Sequence, residues 1–141
     1  MNTRHLISLI GMVAVCPLLA QTPPTLPGSL LGQYSWQSNR SASKTEVILV
    51  ELSQITTDGE NVNGIVSTYR SPAGNCVSDN TAFRGTYRDG VISIRSGNMK
   101  SNFVDGRPCG GIAIEAKMDG RGASGTMKVG SAVFPVELAA K

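Results

Sequence analysis

Few residues in this 141-residue chain could make or break bonds, and they are poorly placed to do so. The single histidine, His5, lies in a leading stretch that reads as an export signal. Arg4 gives that stretch a positive start, Leu6 to Val15 is apolar, and Leu18-Leu19-Ala20 precedes Gln21. A signal core of this kind is short, whereas a spanning helix needs about 20 apolar residues. Cleavage after Ala20 removes His5 and Cys16, and with them the Ser-His-Asp and Cys-His arrangements and the usual zinc sites. Cys16 also defines a competing reading, a lipoprotein acylated at that residue; Val15 before it is larger than that position wants. No glycine-rich phosphate loop precedes a helical pattern. A pair of carboxylates could hydrolyse a glycoside, but Glu46 and Glu51 are five apart on one extended run and so point to opposite faces. Glu115 reads as an ordinary outward-facing residue. Asp58, Asp89 and Asp119 each precede a glycine and suit turns. These observations predict a protein that is not an enzyme and uses no cofactor and no metal ion.

Two cysteines remain after cleavage, Cys76 and Cys109. An even pair in an exported chain predicts a disulfide and an oxidising compartment, periplasmic or extracellular. The formal net charge of the whole chain is +3, and loss of Arg4 lowers it by one. Such a balance selects no partner and gives no reason to expect nucleic acid. After Val15 no apolar stretch is long enough to span a membrane as a helix. Asn39-Arg40-Ser41 matches an N-glycosylation acceptor, which matters only in a eukaryotic source.

The elements that must position any site read as strands. The chain has 16 glycines, a costly residue in helix interiors but a useful one in turns. Residues 1–20 form the signal, 21–30 a Pro/Gly-rich extended tether, and 31–141 a single domain. Eight strands are expected, over 32–38, 44–54, 62–70, 82–88, 91–96, 111–118, 123–129 and 132–139. Alternation is cleanest in the last ones: Ile112, Ile114, Ala116 and Met118 share one face, as do Ala132, Phe134, Val136 and Leu138. Pro135 interrupts the second of these and implies a missing ladder bond or a bulge. The run Val47 to Leu52 is apolar on both faces and is expected to be the most deeply buried. Asp58-Gly59, Asp89-Gly90, Asp119-Gly120 and Gly130-Ser131 mark tight hairpins. Gly64, Gly85 and Gly125, inside strands, mark points of sharp curvature.

An up-and-down order of these strands puts the tight turns 58–61, 89–90 and 119–122 at one end. The connections 39–43, 71–81, 97–110 and 130–131 then fall at the other end. Cys76 and Cys109 lie in two long loops of that second end, as a disulfide requires. Basic residues gather there too: Arg40, Lys44, Arg70, Arg95, Lys100 and Arg107, against Asp79 and Asp105. The opposite end carries Asp58, Glu60, Asp89 and Asp119 against Arg88 and Arg121. The fold expected is all-β: a small antiparallel up-and-down barrel of about eight strands with one disulfide. Its interior is just large enough to be filled by side chains or to hold one small ligand.

This arrangement resembles the small calycin-type barrels, the avidin-like and lipocalin-like proteins. The residues that carry the resemblance are Gly32-Gln33-Tyr34-Ser35-Trp36 on the first strand, Gly85-Thr86-Tyr87, and Gly125-Thr126-Met127 leading to Leu138. The avidin kind of biotin pocket uses several tryptophans, and this chain has one, Trp36. Tyr34 stands where the lipocalin motif has tryptophan. No functional residue is carried over from either family.

The function expected is that of an exported, non-catalytic binding protein. It would recognise a protein or an anionic envelope component through the long loops, with Arg40, Lys44, Lys100, Phe103 and Arg107 as contacts. One version is an inhibitor of an envelope or extracellular hydrolase. The alternatives are a carrier of a small apolar ligand inside the barrel and a structural envelope component. Phe103 is open to two readings at this level, a partner contact or a plug folded over the barrel end.

Overall fold

The computed structural model describes residues 25–37, 45–69 and 76–141. The signal segment, residues 21–24 of the expected tether, and Asn39, Arg40, Lys44 and Arg70 lie outside the described residues. The described chain is all-β. Its strands are β1 (Leu30–Gln37), β2 (Thr45–Asp58), β3 (Asn61–Tyr69), β4 (Cys76–Val77), β5 (Thr81–Arg88), β6 (Val91–Asn98), β7 (Lys100–Ser101), β8 (Gly111–Asp119), β9 (Gly122–Val129) and β10 (Ala132–Ala140). Eight of these close into an antiparallel barrel in the order β1-β10-β9-β8-β6-β5-β3-β2. The remaining two, β4 and β7, pair with each other in the long loops. Every barrel neighbour is therefore the next barrel strand in the chain, except at the β1–β10 seam. Among the described residues no helix is long and apolar enough to cross a membrane.

The turns form for the reason their dipeptides suggest. Asp89 and Gly90 both have positive φ, 52° and 77°, so the hairpin they close has the twist of the strands it joins. Strand β2 runs past the expected boundary at Gln54 to Asp58, because Gln54 adopts a φ of 51° and the register with β3 shifts between Ser53 and Thr56. That bulge turns the Ile55 amide to the Gly28 carbonyl, 3.0 Å away. Ser29 Oγ donates to the Leu52 carbonyl, and Leu26 packs half-buried against the core. The segment ahead of β1 thus lies across the tight-turn end.

Inward side chains from all eight barrel strands form one core. Leu30, Val50, Leu52, Val62, Ile92 and Met127 are wholly buried, and Ile94, Ile114, Val136 and Leu138 nearly so. Each such side chain contributes roughly 1.5–3 kcal/mol on leaving water. The run Val47 to Leu52 corrects the sequence expectation. Val47 and Leu49 are 53% and 43% exposed, because β2 is a barrel wall with one wet face and only Ile48, Val50 and Leu52 point inward.

Pro135 is accommodated by the seam. The β1–β10 pairing begins at Leu30↔Ala140 and stops at Gln33↔Glu137, so Pro135 lies where β10 pairs only with β9, opposite Thr126. Its missing N–H interrupts no ladder on the β1 side. The rings of Tyr34 and Phe134 meet just beyond the last seam pair, 5.1 Å apart and tilted by 44°.

Glycine sets the curvature. A Cβ on Gly85 would lie 1.9 Å from the Ser93 carbonyl oxygen of β6, and one on Gly125 would lie 2.0 Å from the Glu115 carbonyl oxygen of β8. Neighbouring backbone occupies the space a side chain would need, and backbone cannot move aside without opening the ladder. Gly85→Ala and Gly125→Ala should each destabilise the barrel by about 3 kcal/mol, the upper end of overpacking costs. Gly97→Ala is the control, since its Cβ would meet only Thr81 Cγ2 at 3.6 Å. Urea unfolding of the three variants checks this; equal stability of all three would refute the curvature role.

Candidate functional site

The long-loop end is the most elaborated part of the surface. The Cys76–Cys109 disulfide joins its two long loops, with Cα atoms 5.7 Å apart and a sequence separation of 33. Beside it β4 and β7 pair Cys76 with Ser101 and Val77 with Lys100. Below this clasp, Ser78 folds back onto β3. The Thr68 amide donates to the Ser78 carbonyl (2.9 Å), the Ser78 amide to Thr68 Oγ1 (3.0 Å), and Ser78 Oγ to the Val66 carbonyl (2.8 Å). Ser67, Thr68 and Ser78 are buried, and these bonds, together with those between Ser67 Oγ and Asn80, satisfy groups that would otherwise be costly to bury.

The loop from Met99 to Gly110 is held at every level. Its base is closed by the Met99 amide on the Gly110 carbonyl at 3.2 Å, with Met99 and Cys109 buried. Ser101 Oγ donates to the Arg107 carbonyl at 2.5 Å across the loop. The tip is a turn in which the Gly106 amide donates to the Phe103 carbonyl at 3.0 Å, with Gly106 at φ 68°. Asp105 accepts from the Arg107 amide at 3.2 Å and from its Nε at 3.1 Å. The Arg107 guanidinium lies over the Phe103 ring, 4.2 Å from its centre. Phe103 is half-buried against the core, which favours the plug of its two sequence readings. Val104, at the tip, is fully exposed.

The structure thus brings Lys100, Phe103, Arg107, Cys76 and Cys109 into one unit. Lys100 and Arg107 are both exposed. Arg95 stands in the barrel wall, in the half of β6 nearer the long loops, directly opposite Arg84 on β5. At the opposite end Arg88 bonds the Glu60 carboxylate and holds that carboxyl below its ordinary range. Sequence reasoning missed Val104 and Ser101, and counted Asp105 only as a charge. The signal for them was Asp105-Gly106, a turn dipeptide like the three others but set inside a long loop. Among the described residues no cluster of three or more His, Cys, Asp or Glu side chains could hold a metal ion. Glu115 points outward and is exposed. Comparison with protein-family models, curated proteins and solved structures found no match.

Two predictions follow from the restraints. Removing the disulfide with Cys76→Ala and Cys109→Ala frees a closed loop, and the unfolded-state entropy regained should lower stability by roughly 3–4 kcal/mol in chemical denaturation. The second concerns pH. The Arg107 amide, and then its guanidinium, hold the Asp105 carboxyl below its usual range. A depressed folded-state pKa means the restraint is complete above the unfolded Asp value of about 3.9 and is lost as pH falls through the lowered one. Amide NMR signals of residues 103–107 should hold steady from neutral pH down to about 4 and then shift and broaden. In Asp105→Asn that acid transition should be gone; if it persists unchanged, Asp105 does not order the tip.

Proposed function

We propose that this is an exported, non-catalytic binding protein that recognises a protein partner through the long-loop end of a calycin-type barrel. In its most concrete form it inhibits an envelope or extracellular hydrolase, with the 99–110 loop entering an acidic cleft. The observation that carries this reading is a fully exposed valine, Val104, at the tip of a loop restrained by a disulfide, a two-stranded clasp and its own hydrogen bonds. A loop already held in one shape loses little entropy on binding, so its contacts convert efficiently into affinity. Arg107 at the tip and Lys100 near the base of the loop would steer it to a negatively charged rim. Phe103 serves from below, as the post on which Arg107 rests.

Carriage of a small apolar ligand inside the barrel is the weaker reading, because the inward side chains pack into one continuous core. A purely structural envelope role gives no reason for so many restraints on one loop.

Affinity capture from envelope and secreted fractions, followed by binding measurements on the purified partner, tests the proposal. Val104→Asp and Arg107→Ala should each weaken binding by about tenfold or more, the effect expected of contacts at an interface centre. Leu31→Asp, at an exposed site on the outer wall near the tight-turn end, should leave it unchanged. Loss of binding by the Leu31 variant alone would move the interface to the wall and end this reading.

A further inference from the structure

The outer wall of β3, β5 and β6 carries a second feature, independent of the loops. Arg84 and Arg95 are directly opposite each other across β5 and β6. Side chains so placed start with Cβ atoms about 5 Å apart, and like charges there are destabilising. Neither arginine has a hydrogen bond or an ion pair among the described residues, where the ion-paired cations are Arg88, Arg107 and Lys141. Their other outward neighbours do not neutralise them. Arg84 faces Asn63 on β3, and Arg95 faces Ala113 on β8, beyond which stands Lys128 on β9. The nearest acid by register, Glu115, is opposite Ser93 and Thr126 and forms no ion pair with either arginine.

The two arginines line an open concavity of about 810 Å³. Asn63, Thr86 and Ser93 bring further hydrogen-bonding groups to its wall. We propose that this concavity is a binding site for a dianionic oxyanion, phosphate or sulfate, held between the Arg84 and Arg95 guanidinium groups. Each guanidinium presents a fork of N–H donors to one edge of an anion. A tetrahedral dianion has edges and charge for both forks. A monocarboxylate has one edge and one charge, and would leave the second arginine uncompensated. The site stands on the wall and does not depend on the loop reading.

The test is titration of the disulfide-intact protein with inorganic phosphate, sulfate, glycerol 3-phosphate and acetate, followed by NMR of the backbone and arginine Nε signals. Phosphate and sulfate should give saturable shifts confined to Asn63, Arg84, Thr86, Ser93 and Arg95, with acetate at least about tenfold weaker. Arg84→Gln and Arg95→Gln should each cut phosphate affinity by about tenfold or more. In anion-free buffer the same substitutions should raise the Tm, because they relieve the repulsion, and phosphate should then raise the Tm of the parent but not of the variants. A phosphate monoester binding more tightly than free phosphate assigns the site to an ester on a larger molecule; the reverse order assigns it to the free anion. Shifts of similar size with acetate, shifts spread over Lys100, Lys117 and Lys128, or no shift at all would overturn the proposal.

Discussion

At Gly85 and Gly125 the neighbouring strand's carbonyl oxygen occupies the place of a side chain. That close approach lets eight short strands coil tightly enough to close, and it also fixes how large the interior can be. A tight coil leaves room for Leu, Ile, Val and Met side chains from all walls and brings them into one core. The surface open to other molecules is then the outside, the rim loops and the wall. The position of both candidate sites on the surface follows from the curvature, and so does their rigidity, since a filled barrel gives the loops a firm base.

The loop end repeats this logic on a smaller scale. Thr68 at the end of β3 and Ser78 in the following segment exchange hydrogen bonds beneath the disulfide, so the connection is anchored below as well as across. Phe103 joins the 99–110 loop to the apolar core, while Asp105 and Arg107 shape its outer turn. An exposed valine by itself is an ordinary surface feature. A valine presented by a loop with no slack is a defined shape, which is what a binding partner can select.

Much of this fold was legible in the sequence because turns and alternation are local signals. The Asp-Gly and Gly-Ser hairpins gave the strand order, the order placed Cys76 and Cys109 at one end, and the disulfide is there. The outcome was less accurate where a long-range partner decides. The β2 bulge at Gln54 goes with a bond from Ile55 to the segment at Gly28, a contact that no local pattern announces. Val47 and Leu49 looked like core because composition does not show which face of a barrel wall is wet. The Arg84–Arg95 pairing was within reach: a two-residue turn at 89–90 sets the register of its whole hairpin and places these two residues opposite each other. Reading Arg95 by its nearest loop, instead of by register, hid it.

The β1–β10 seam has a consequence for how the chain assembles. All other neighbours in the barrel are consecutive barrel strands joined by a hairpin or a single loop, so they can form locally and early. The seam pairs Leu30 with Ala140, and the Lys141 amide reaches the Ser29 carbonyl at 3.3 Å. The two ends of the strand sequence therefore sit side by side, and the barrel is a ring of hairpins whose point of interruption is a matter of chain order. A circularly permuted chain, joined across this junction and opened at Gly90, would keep every native strand pair. It would turn the last and most distant pairing into an ordinary hairpin and hand the slow closing step to β5 and β6.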